Sequence, residues 1–338
     1  MKEIQIIGGG LAGLSLGIAL RGKGVPVVLH ERGVYPQHKV CGEFICGVED
    51  SVLEDLGIQI DLEDAKIHQR LKWWMDGVMS VDKELPQSAR GISRYVLDQR
   101  LAERFEQLGG NLKTQSRVKL DFGEGFVRAS GKRKSGGKEW IGLKLHFYKS
   151  DIESLEMHSG TRGYIGLCEV AQGRVNACGL FKVDSKVKGK GRQLFFNYLR
   201  NSGLEYLANI LSESESDEAS FSATAGFSLG KQEVQNGFNI GDAQYLIPPF
   251  TGNGMSMALE SSALAVDPLS QYSMGEMSWE AAQNSYHHRL KHQFGKRTAL
   301  AAGMHPFIFN RIGRASLKIL GKNDLLPINS LFTQLRTP

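Results

Sequence analysis

The stretch Ile4-Gln5-Ile6-Ile7-Gly8-Gly9-Gly10-Leu11-Ala12-Gly13 decides the fold of this 338-residue chain, because a strand, a glycine turn and the start of a helix follow one another in it. Residues 4–7 are a short apolar run that favours a strand. Residues 14–20 carry apolar side chains at helical spacing, and residues 25–30 form a second β-rich run. This order of elements predicts a strand–turn–helix–strand unit, with two strands connected through a helix.

The glycines of the turn and the acid after the second strand indicate a dinucleotide site. Gly8, Gly10 and Gly13 follow the pattern G-x-G-x-x-G: a tight turn, a close approach to a pyrophosphate, and close helix–strand packing. The helix N-terminus adds free N–H groups that suit a diphosphate. Glu31, 18 positions after Gly13, can accept hydrogen bonds from both hydroxyls of an adenosine ribose and would repel a 2′-phosphate. The pattern therefore predicts FAD or NAD rather than NADP.

The composition excludes several other classes of protein. The hydrophobic content of 41% and charged content of 23% are ordinary for a globular protein, and the net charge of +5 is too mild to suggest a nucleic-acid partner. No apolar run is long enough to span a membrane, and the first strand begins too early to leave room for a signal peptide. Four cysteines at irregular spacing predict neither a disulfide framework nor a metal site. We therefore expect a cytoplasmic protein without nucleic-acid partners.

The rest of the chain divides into three kinds of pattern. Residues 93–108 predict an amphipathic helix, and residues 140–184 predict an antiparallel sheet from short β-rich runs separated by turns. A short strand at 237–240 then leads into a loop and a second helix. Residues 279–335 are mostly helical in pattern, and from His287 onward they hold nine Lys or Arg against one acid. This basic tail could contact a membrane surface, cover a hydrophobic substrate, or simply pack over the core with its charges in water.

Three separated motifs together resemble the FAD-dependent monooxygenase superfamily built like p-hydroxybenzoate hydroxylase, which also includes the geranylgeranyl reductases. The motifs are the glycine turn ending in Glu31-Arg32, the helix Arg94-x-x-Leu97-Asp98-x-x-Leu101, and Gly241-Asp242-Ala243 followed by Pro248-Pro249-Phe250-Thr251-Gly252-Asn253-Gly254. The resemblance covers roughly residues 1–270. A further segment, Pro36-x-x-Lys39-x-Cys41-Gly42, looks most like the geranylgeranyl reductase branch.

The resemblance implies an α/β fold with interleaved domains. A Rossmann-like FAD-binding domain of the glutathione-reductase type would comprise residues 1–70, 92–138 and 226–270. An antiparallel-sheet substrate domain would comprise residues 71–91 and 139–225, and residues 271–338 would form a helical C-terminal region.

The resemblance also implies an FAD site, with a role for each matching residue. The motif glycines would hold the pyrophosphate, Glu31 the adenosine ribose, and Arg94 would lie near the diphosphate. Asp242 would bind the ribityl chain, and Gly252 and Gly254 would bring backbone N–H groups to the pyrimidine edge of the flavin. Cys41 would lie beside the flavin, either in a chemical role or as a small residue packing under the ring. The expected cofactor contacts are Gly8, Gly10, Leu11, Ala12, Gly13, Glu31, Arg32, Cys41, Arg94, Gly241, Asp242, Pro249, Gly252, Asn253, Gly254 and Met255.

The resemblance leads us to expect an FAD-dependent monooxygenase that acts on a hydrophobic or aromatic small molecule through a flavin C4a-hydroperoxide. The alternative is an FAD-dependent C=C reductase acting on an isoprenoid-like lipid, which the Cys41 segment and the basic tail favour. A flavin-binding electron carrier would not need the roughly 180 residues outside the FAD motifs, and an NAD-binding protein would not need the Asp242 motif. NAD(P)H bound transiently, or a separate reductase, would supply electrons. No nucleophile triad or paired-carboxylate motif predicts a catalytic residue.

Overall fold

A five-stranded parallel sheet forms around the stretch that opens the chain. Its strands, in spatial order, are β13 (Phe238–Asn239), β7 (Phe126–Arg128), β1 (Ile4–Ile7), β2 (Val27–His30) and β6 (Asn111–Lys113). All four pairings are parallel, with Ile6 opposite Leu29 on one side and Val127 on the other. The predicted strand–turn–helix–strand unit is therefore confirmed.

The computed structural model describes residues 1–336 apart from 119–122, 132–138, 149–151, 172, 228–236 and 245–248; the side chains of residues 226, 227, 249, 305–307 and 311 are not described.

Three helices pack around the parallel sheet: α1 (Leu11–Gly22), α3 (Arg94–Gln107) and α6 (Gly254–Met274). Gly13 allows α1 to lie against β1, because a Cβ at this position would be 2.0 Å from the carbonyl oxygen of Gly8. Of the apolar face predicted for α3, Leu97, Leu101 and Phe105 are fully buried, whereas Leu108 caps the helix and is 39% exposed. Between β2 and α3 lie α2 (Asp50–Asp55) and a one-turn helix, Gln59–Leu62.

An eight-stranded sheet forms the second layer of the molecule. Its spatial order is β12 (Ser216–Phe227), β8 (Trp140–Tyr148), β11 (Arg174–Lys182), β10 (Gly163–Ala171), β9 (Leu155–Ser159), β4 (Lys66–Met75), β5 (Val78–Gly91) and β3 (Phe44–Cys46). The antiparallel sheet predicted over residues 140–184 is confirmed, and the remaining pairs are also antiparallel except β4 with β9, which run parallel.

The two faces of this sheet have different partners. On the outer face, Leu143, Leu145 and Phe147 of β8 pack against α4 (Gly191–Asn201) and α5 (Glu205–Ser212). Residues that alternate with them point to the inner face, towards the segment that follows β2.

The sequence placed residues 1–70 in the FAD-binding part, but β3 and the start of β4 pair within the eight-stranded sheet. The predicted boundary at residue 138 lies outside the described residues, and the domain boundaries stay a prediction.

The C-terminal part is helical, as predicted, with α7 (Trp279–Phe309), α8 (Arg311–Lys322) and α9 (Ile328–Arg336). The first of these packs on α6, and the other two reach the eight-stranded sheet. Within the described residues, no helix combines the length and apolarity needed to cross a membrane, and no group of three or more His, Cys, Asp or Glu could hold a metal ion.

Candidate active site

A cleft of about 870 Å³ lies along the carboxyl ends of the parallel strands. The loops after β1, β2, β7 and β13 all contribute to it, because parallel strands bring their carboxyl ends to one edge of the sheet. Its volume falls in the upper part of the range of about 300–1,000 Å³ that ligand and cofactor sites occupy. The cleft is therefore large enough for an extended cofactor.

Twelve of the sixteen predicted cofactor contacts line this cleft. They are Gly8, Gly10, Leu11, Ala12, Glu31, Arg32, Cys41, Arg94, Asp242, Gly252, Gly254 and Met255. Three motifs, of which the first and the last lie more than 200 positions apart in the sequence, thus meet in one cavity.

Three of the other four predicted contacts, Gly13, Gly241 and Asn253, are not among the described residues that line the cleft. Gly13 packs α1 on β1, and the backbone N–H of Gly241 donates to the hydroxyl of Ser261 at 3.0 Å. The side chain of Asn253 is buried and donates to the carbonyl oxygen of Leu335 at 2.8 Å, so it faces α9. Pro249 begins a one-turn helix, Pro249–Thr251; its side chain and Pro248 lie outside the described part of the chain.

Glu31 closes one end of the cleft and holds the glycine turn in place. Its carboxylate accepts hydrogen bonds from the backbone N–H groups of Gly9 at 2.7 Å and Gly33 at 2.8 Å. Each carboxylate oxygen keeps a further lone pair, so the group can also accept from sugar hydroxyls. The Tyr35 hydroxyl donates to the carbonyl oxygen of Gly9 at 2.6 Å. This second contact also stabilises the glycine turn, and the sequence did not predict it. Burial, and then the charge of Glu31, raises the pKa of Tyr35, which keeps it a neutral donor.

A cationic group lies in the middle of the cleft. Arg94, the first residue of α3, donates to both carboxylate oxygens of Asp98, at 2.6 and 2.9 Å, and Lys39 contacts the same carboxylate at 2.8 Å. Burial opposes charge on both Arg94 and Asp98, but their mutual attraction prevails, so the pKa of Arg94 is raised and the pKa of Asp98 is lowered. Two cations share one anion here, which leaves a net positive charge facing the cleft.

The backbone of the glycine turn faces open space opposite this cationic group. Among the described residues, a Cβ added at Gly10 would meet only the guanidinium of Arg94, at 3.9 Å. A diphosphate can therefore approach the backbone N–H groups at the start of α1 with a cation on its other side. Ala129, Ser130 and Gly131, to which no motif assigns a role, also line the cleft.

The far end of the cleft is built from Asp242, Gly252, Gly254 and Met255. Asp242 lies in a one-turn helix, Gly241–Ala243, that directly follows β13. Gly254 begins α6, so free N–H groups of a helix N-terminus face this end. These are the donors that the pyrimidine edge of a flavin requires.

A buried charged cluster that the sequence did not predict lies under this wall. Glu43, Lys144 and His146 are at most 1% exposed; Glu43 Oε1 lies 2.8 Å from Lys144 Nζ, and Oε2 lies 2.6 Å from His146 Nε2. The backbone N–H of Arg94 also donates to Glu43, at 2.9 Å. Glu43 thus connects the segment that lines the cleft, the first residue of α3 and the inner face of β8. We call Glu43, Lys144 and His146 the buried triad.

The electrostatics of the buried triad keep Glu43 ionised. Burial alone would raise the pKa of Glu43, but the hydrogen bond from His146 and the charge of Lys144 outweigh it and lower the pKa. His38 Nδ1 lies 3.2 Å from Lys144 Nζ, and burial together with that ammonium group lowers the pKa of His38 to about 4. A signal for the cluster was present in the sequence: Lys144 and His146 alternate within an otherwise apolar strand.

The residues present therefore fit FAD. The cleft offers an acid at one end, a net positive charge opposite the glycine turn in the middle, and a carboxylate with helix N–H groups at the other end. This order matches adenosine ribose, diphosphate, ribityl chain and flavin along an extended FAD molecule.

Fold and site together define a two-sheet protein whose cleft fits a dinucleotide, and comparison with known proteins shows the same fold. p-Nitrophenol 4-monooxygenase PnpA from Pseudomonas putida DLL-E4 is 14% identical with a TM-score of 0.75, over 100% of this chain and 99% of that one. The flavin-dependent brominase Bmp2 is 16% identical with a TM-score of 0.73, over 100% and 95%. A flavoprotein/dehydrogenase from Cytophaga hutchinsonii is 15% identical with a TM-score of 0.70, over 99% and 96%.

The chain therefore has the two-sheet fold of these flavoproteins, as the sequence predicted. No family model matches it. Conditioned medium factor receptor 1 from Dictyostelium discoideum is 26% identical over 132 residues, 34% of this chain, and the chain covers only 26% of the length of that curated protein. Since the three solved structures carry three different reaction names, the fold alone does not determine the reaction.

Proposed function

We propose that this protein is an FAD-dependent oxidoreductase, and specifically a monooxygenase that acts on a hydrophobic or aromatic small molecule. The observation that carries the proposal is the meeting of the three motifs in one cleft, in the order in which an FAD molecule presents its groups. When bound, the flavin would take electrons from a reductant, NAD(P)H or a separate reductase, and pass them to O₂. One oxygen atom would enter the substrate and the other would leave as water.

The protein's own residues would position the cofactor and keep its surroundings dry. Arg94 and Lys39 would neutralise the diphosphate, and Asp242 would fix the ribityl chain. Phe250, two positions before the cleft residue Gly252, belongs to an apolar cluster on the inner face of the eight-stranded sheet, together with Trp140, Met157, Tyr164, Leu180 and Phe309. Such a cluster suits a flat apolar substrate and excludes water from it.

Asp242→Ala tests the cofactor site. The variant loses an acceptor for the ribityl hydroxyls, and charge-assisted hydrogen bonds contribute about 1.5–3 kcal/mol, so FAD affinity should fall by roughly tenfold to a hundredfold. The measurement is a fluorescence titration of the apoprotein with FAD. Asp55→Ala removes an exposed carboxylate of α2 and should bind FAD like the wild type. A wild-type protein that takes up no FAD would overturn the proposal.

The competing reaction is reduction of C=C bonds in an isoprenoid-like lipid, which the presence of Cys41 in the cleft wall favours. The two reactions differ in their products. An oxygenase adds one atom of ¹⁸O from labelled O₂ to a product, whereas a reductase adds two hydrogens and works without O₂. Mass spectrometry of reactions with a panel of phenols and a polyprenyl lipid separates them, and hydrogenation under argon would replace our leading proposal by the alternative.

We also propose a cytoplasmic location. All four cysteines are free, and Cys46 and Cys168 are fully buried as thiols, which suits a reducing compartment. Fractionation of cells of the source organism tests this.

A further inference from the structure

One face of α8 packs firmly on the eight-stranded sheet. Gly321 approaches β5 so closely that a Cβ there would be 2.5 Å from the carbonyl oxygen of Ser80. Leu317 packs with Trp73, Met75 and Val81, and Arg314 forms an ion pair with Asp76. The orientation of α8 about its axis is therefore fixed.

The opposite face of α8 presents apolar side chains to the surroundings. At 100° per residue, Ile312, Ala315 and Ile319 fall on the side away from Leu317 and Gly321. Ile312 is 78% exposed and Ile319 is 62% exposed, and Leu325 in the following turn is 65% exposed. We call Ile312, Ala315, Ile319 and Leu325 the α8 ridge. Ile312 and Ile319 lie two turns apart on the same side of α8 with Ala315 between them, and an exposed apolar strip of this kind on a well-packed helix indicates a contact site.

Two lysines flank the α8 ridge. Lys318 and Lys322 lie one helical turn apart beside Ala315 and Ile319, and neither forms an ion pair with any residue that the structure describes. Asp324, the one acid in the sequence from 311 to 338, is neutralised by an ion pair with Lys83. The surface therefore combines exposed aliphatic groups with uncompensated positive charge.

We propose that the α8 ridge docks this protein on an anionic lipid surface, with α8 parallel to the membrane plane. Ile312, Ile319 and Leu325 would enter the boundary between headgroups and acyl chains, while Lys318 and Lys322 would reach lipid phosphates. A second copy of the same face is a poorer partner, because a two-fold interface would bring the lysines of the two chains together. The proposal concerns where the protein works, and it holds for either reaction of the bound flavin.

The test is co-sedimentation of this 338-residue chain with vesicles. One set contains phosphatidylcholine with phosphatidylglycerol, and the other contains phosphatidylcholine alone. Binding is expected only to the anionic set, and added salt should weaken it, because each Lys near an anionic surface strengthens binding roughly fivefold. Ile312→Glu with Ile319→Glu should lower binding at least tenfold by removing aliphatic burial. Lys318→Glu with Lys322→Glu should lower it by a similar factor.

Matched variants show whether the effect belongs to this surface. Lys186→Glu with Lys188→Glu makes the same change of net charge in the exposed loop before α4, and Ile210→Glu adds an acid at a 45% exposed position of α5. Both should bind vesicles like the wild type, and the FAD absorbance of every variant reports whether the fold and cofactor site are intact. If the control variants lose as much vesicle binding as the α8 variants, the binding surface is not α8. No binding to either vesicle set, or a dimer in solution that the Ile312→Glu, Ile319→Glu variant dissociates, would overturn the proposal.

Discussion

The carboxylate of Glu43 is surrounded by donors from both layers of the molecule. Lys144 and His146 come from β8, and the backbone N–H of Arg94 comes from α3. Glu43 itself has φ 59°, a left-handed conformation that costs a non-glycine residue on the order of 1 kcal/mol. The buried triad offsets this cost, and it holds the neighbouring Cys41 and Phe44 in the cleft wall.

Removing the cation of the buried triad should destabilise the protein strongly. Lys144→Met keeps the volume of the side chain but leaves Glu43 as a buried anion, and breaking a buried ion pair in this way costs about 3–5 kcal/mol. Urea denaturation measures the loss. Lys188→Met, at an exposed position, should stay within about 0.5 kcal/mol of the wild type.

The double variant Glu43→Gln, Lys144→Met separates charge from packing. It removes both charges and should recover a large part of the stability that Lys144→Met loses. If the double variant is less stable than Lys144→Met, an unpaired anion is not the cause.

His38 should make stability fall on acidification before the carboxylates titrate. In the unfolded chain His38 takes up a proton near the ordinary histidine pKa of 6.5, whereas in the folded protein, where its pKa is lowered to about 4, it does so only near pH 4. The unfolded state therefore binds more protons between these values, and stability falls as pH falls from about 6.5 to about 4. The lowered pKa of Glu43 adds a further loss at more acidic pH, as the folded-state carboxylate takes up a proton.

His38→Asn should reduce the fall in stability between about pH 6.5 and about pH 4. Asparagine still offers an oxygen to Lys144 but does not titrate. Thermal unfolding at several pH values measures both slopes. If the stability of the wild type and of His38→Asn falls equally steeply between about pH 6.5 and about pH 4, the assignment to His38 is wrong.

At the scale of elements, the turn between β1 and α1 depends on how closely the helix lies on the strand. Gly13→Ala would place a methyl group 2.0 Å from the carbonyl oxygen of Gly8, so α1 must move away. We expect a loss of about 1–3 kcal/mol and weaker FAD binding, since the N–H groups of the turn move with the helix.

Gly22→Ala is the matched control for this prediction. It makes the same substitution at the other end of α1, where a Cβ would meet no atom of the described residues within 4 Å. Helix propensity should then stabilise the protein by about 0.5–1 kcal/mol. Calorimetry and FAD titration measure the stability and the FAD affinity of both variants. If the two substitutions change them equally, close packing on Gly8 does not require a glycine at residue 13.

Local patterns of this kind explain how much could be predicted from the sequence. The strand, turn and helix around Gly13 are encoded within about thirty residues, so their periodicity and glycine spacing predict them directly. The eight-stranded sheet was also visible as β-rich runs. The pairing of β3 with β5 was not, because strand partners depend on contacts between residues more than forty positions apart.

The site shows the same division between local and distant information. The lining positions that belong to the three motifs were predicted, whereas Glu43, Tyr35 and the lining residues 129–131 were not. The role of Glu43 depends on Lys144, which lies 101 positions away, and the role of Tyr35 depends on the carbonyl oxygen of Gly9, 26 positions away. Asn253 was expected at the cofactor, but its side chain faces α9, an element that no motif placed there.

At the scale of the whole molecule, the last helix is tied to the flavin end of the cleft. Arg336, in α9, donates to the carbonyl oxygens of Cys46 at 3.0 Å and Thr251 at 3.2 Å, and also to the side chain of Asn253. Burial lowers the pKa of Arg336. Hydrogen bonds from α9 therefore fix the segment immediately before α6. This segment places Gly252 in the cleft wall.

Arg336→Ala should loosen this segment, although it changes none of the described residues that line the cleft. Hydrogen bonds to charged groups contribute about 1.5–3 kcal/mol, so we expect the free energy of unfolding to fall by that amount and FAD affinity to fall roughly tenfold. FAD titration and hydrogen exchange at residues 251–254 measure the two effects. Gln334→Ala, an exposed change two positions earlier in α9, should alter neither. If Arg336→Ala lowers stability but binds FAD with wild-type affinity, α9 supports the fold without organising the cofactor site.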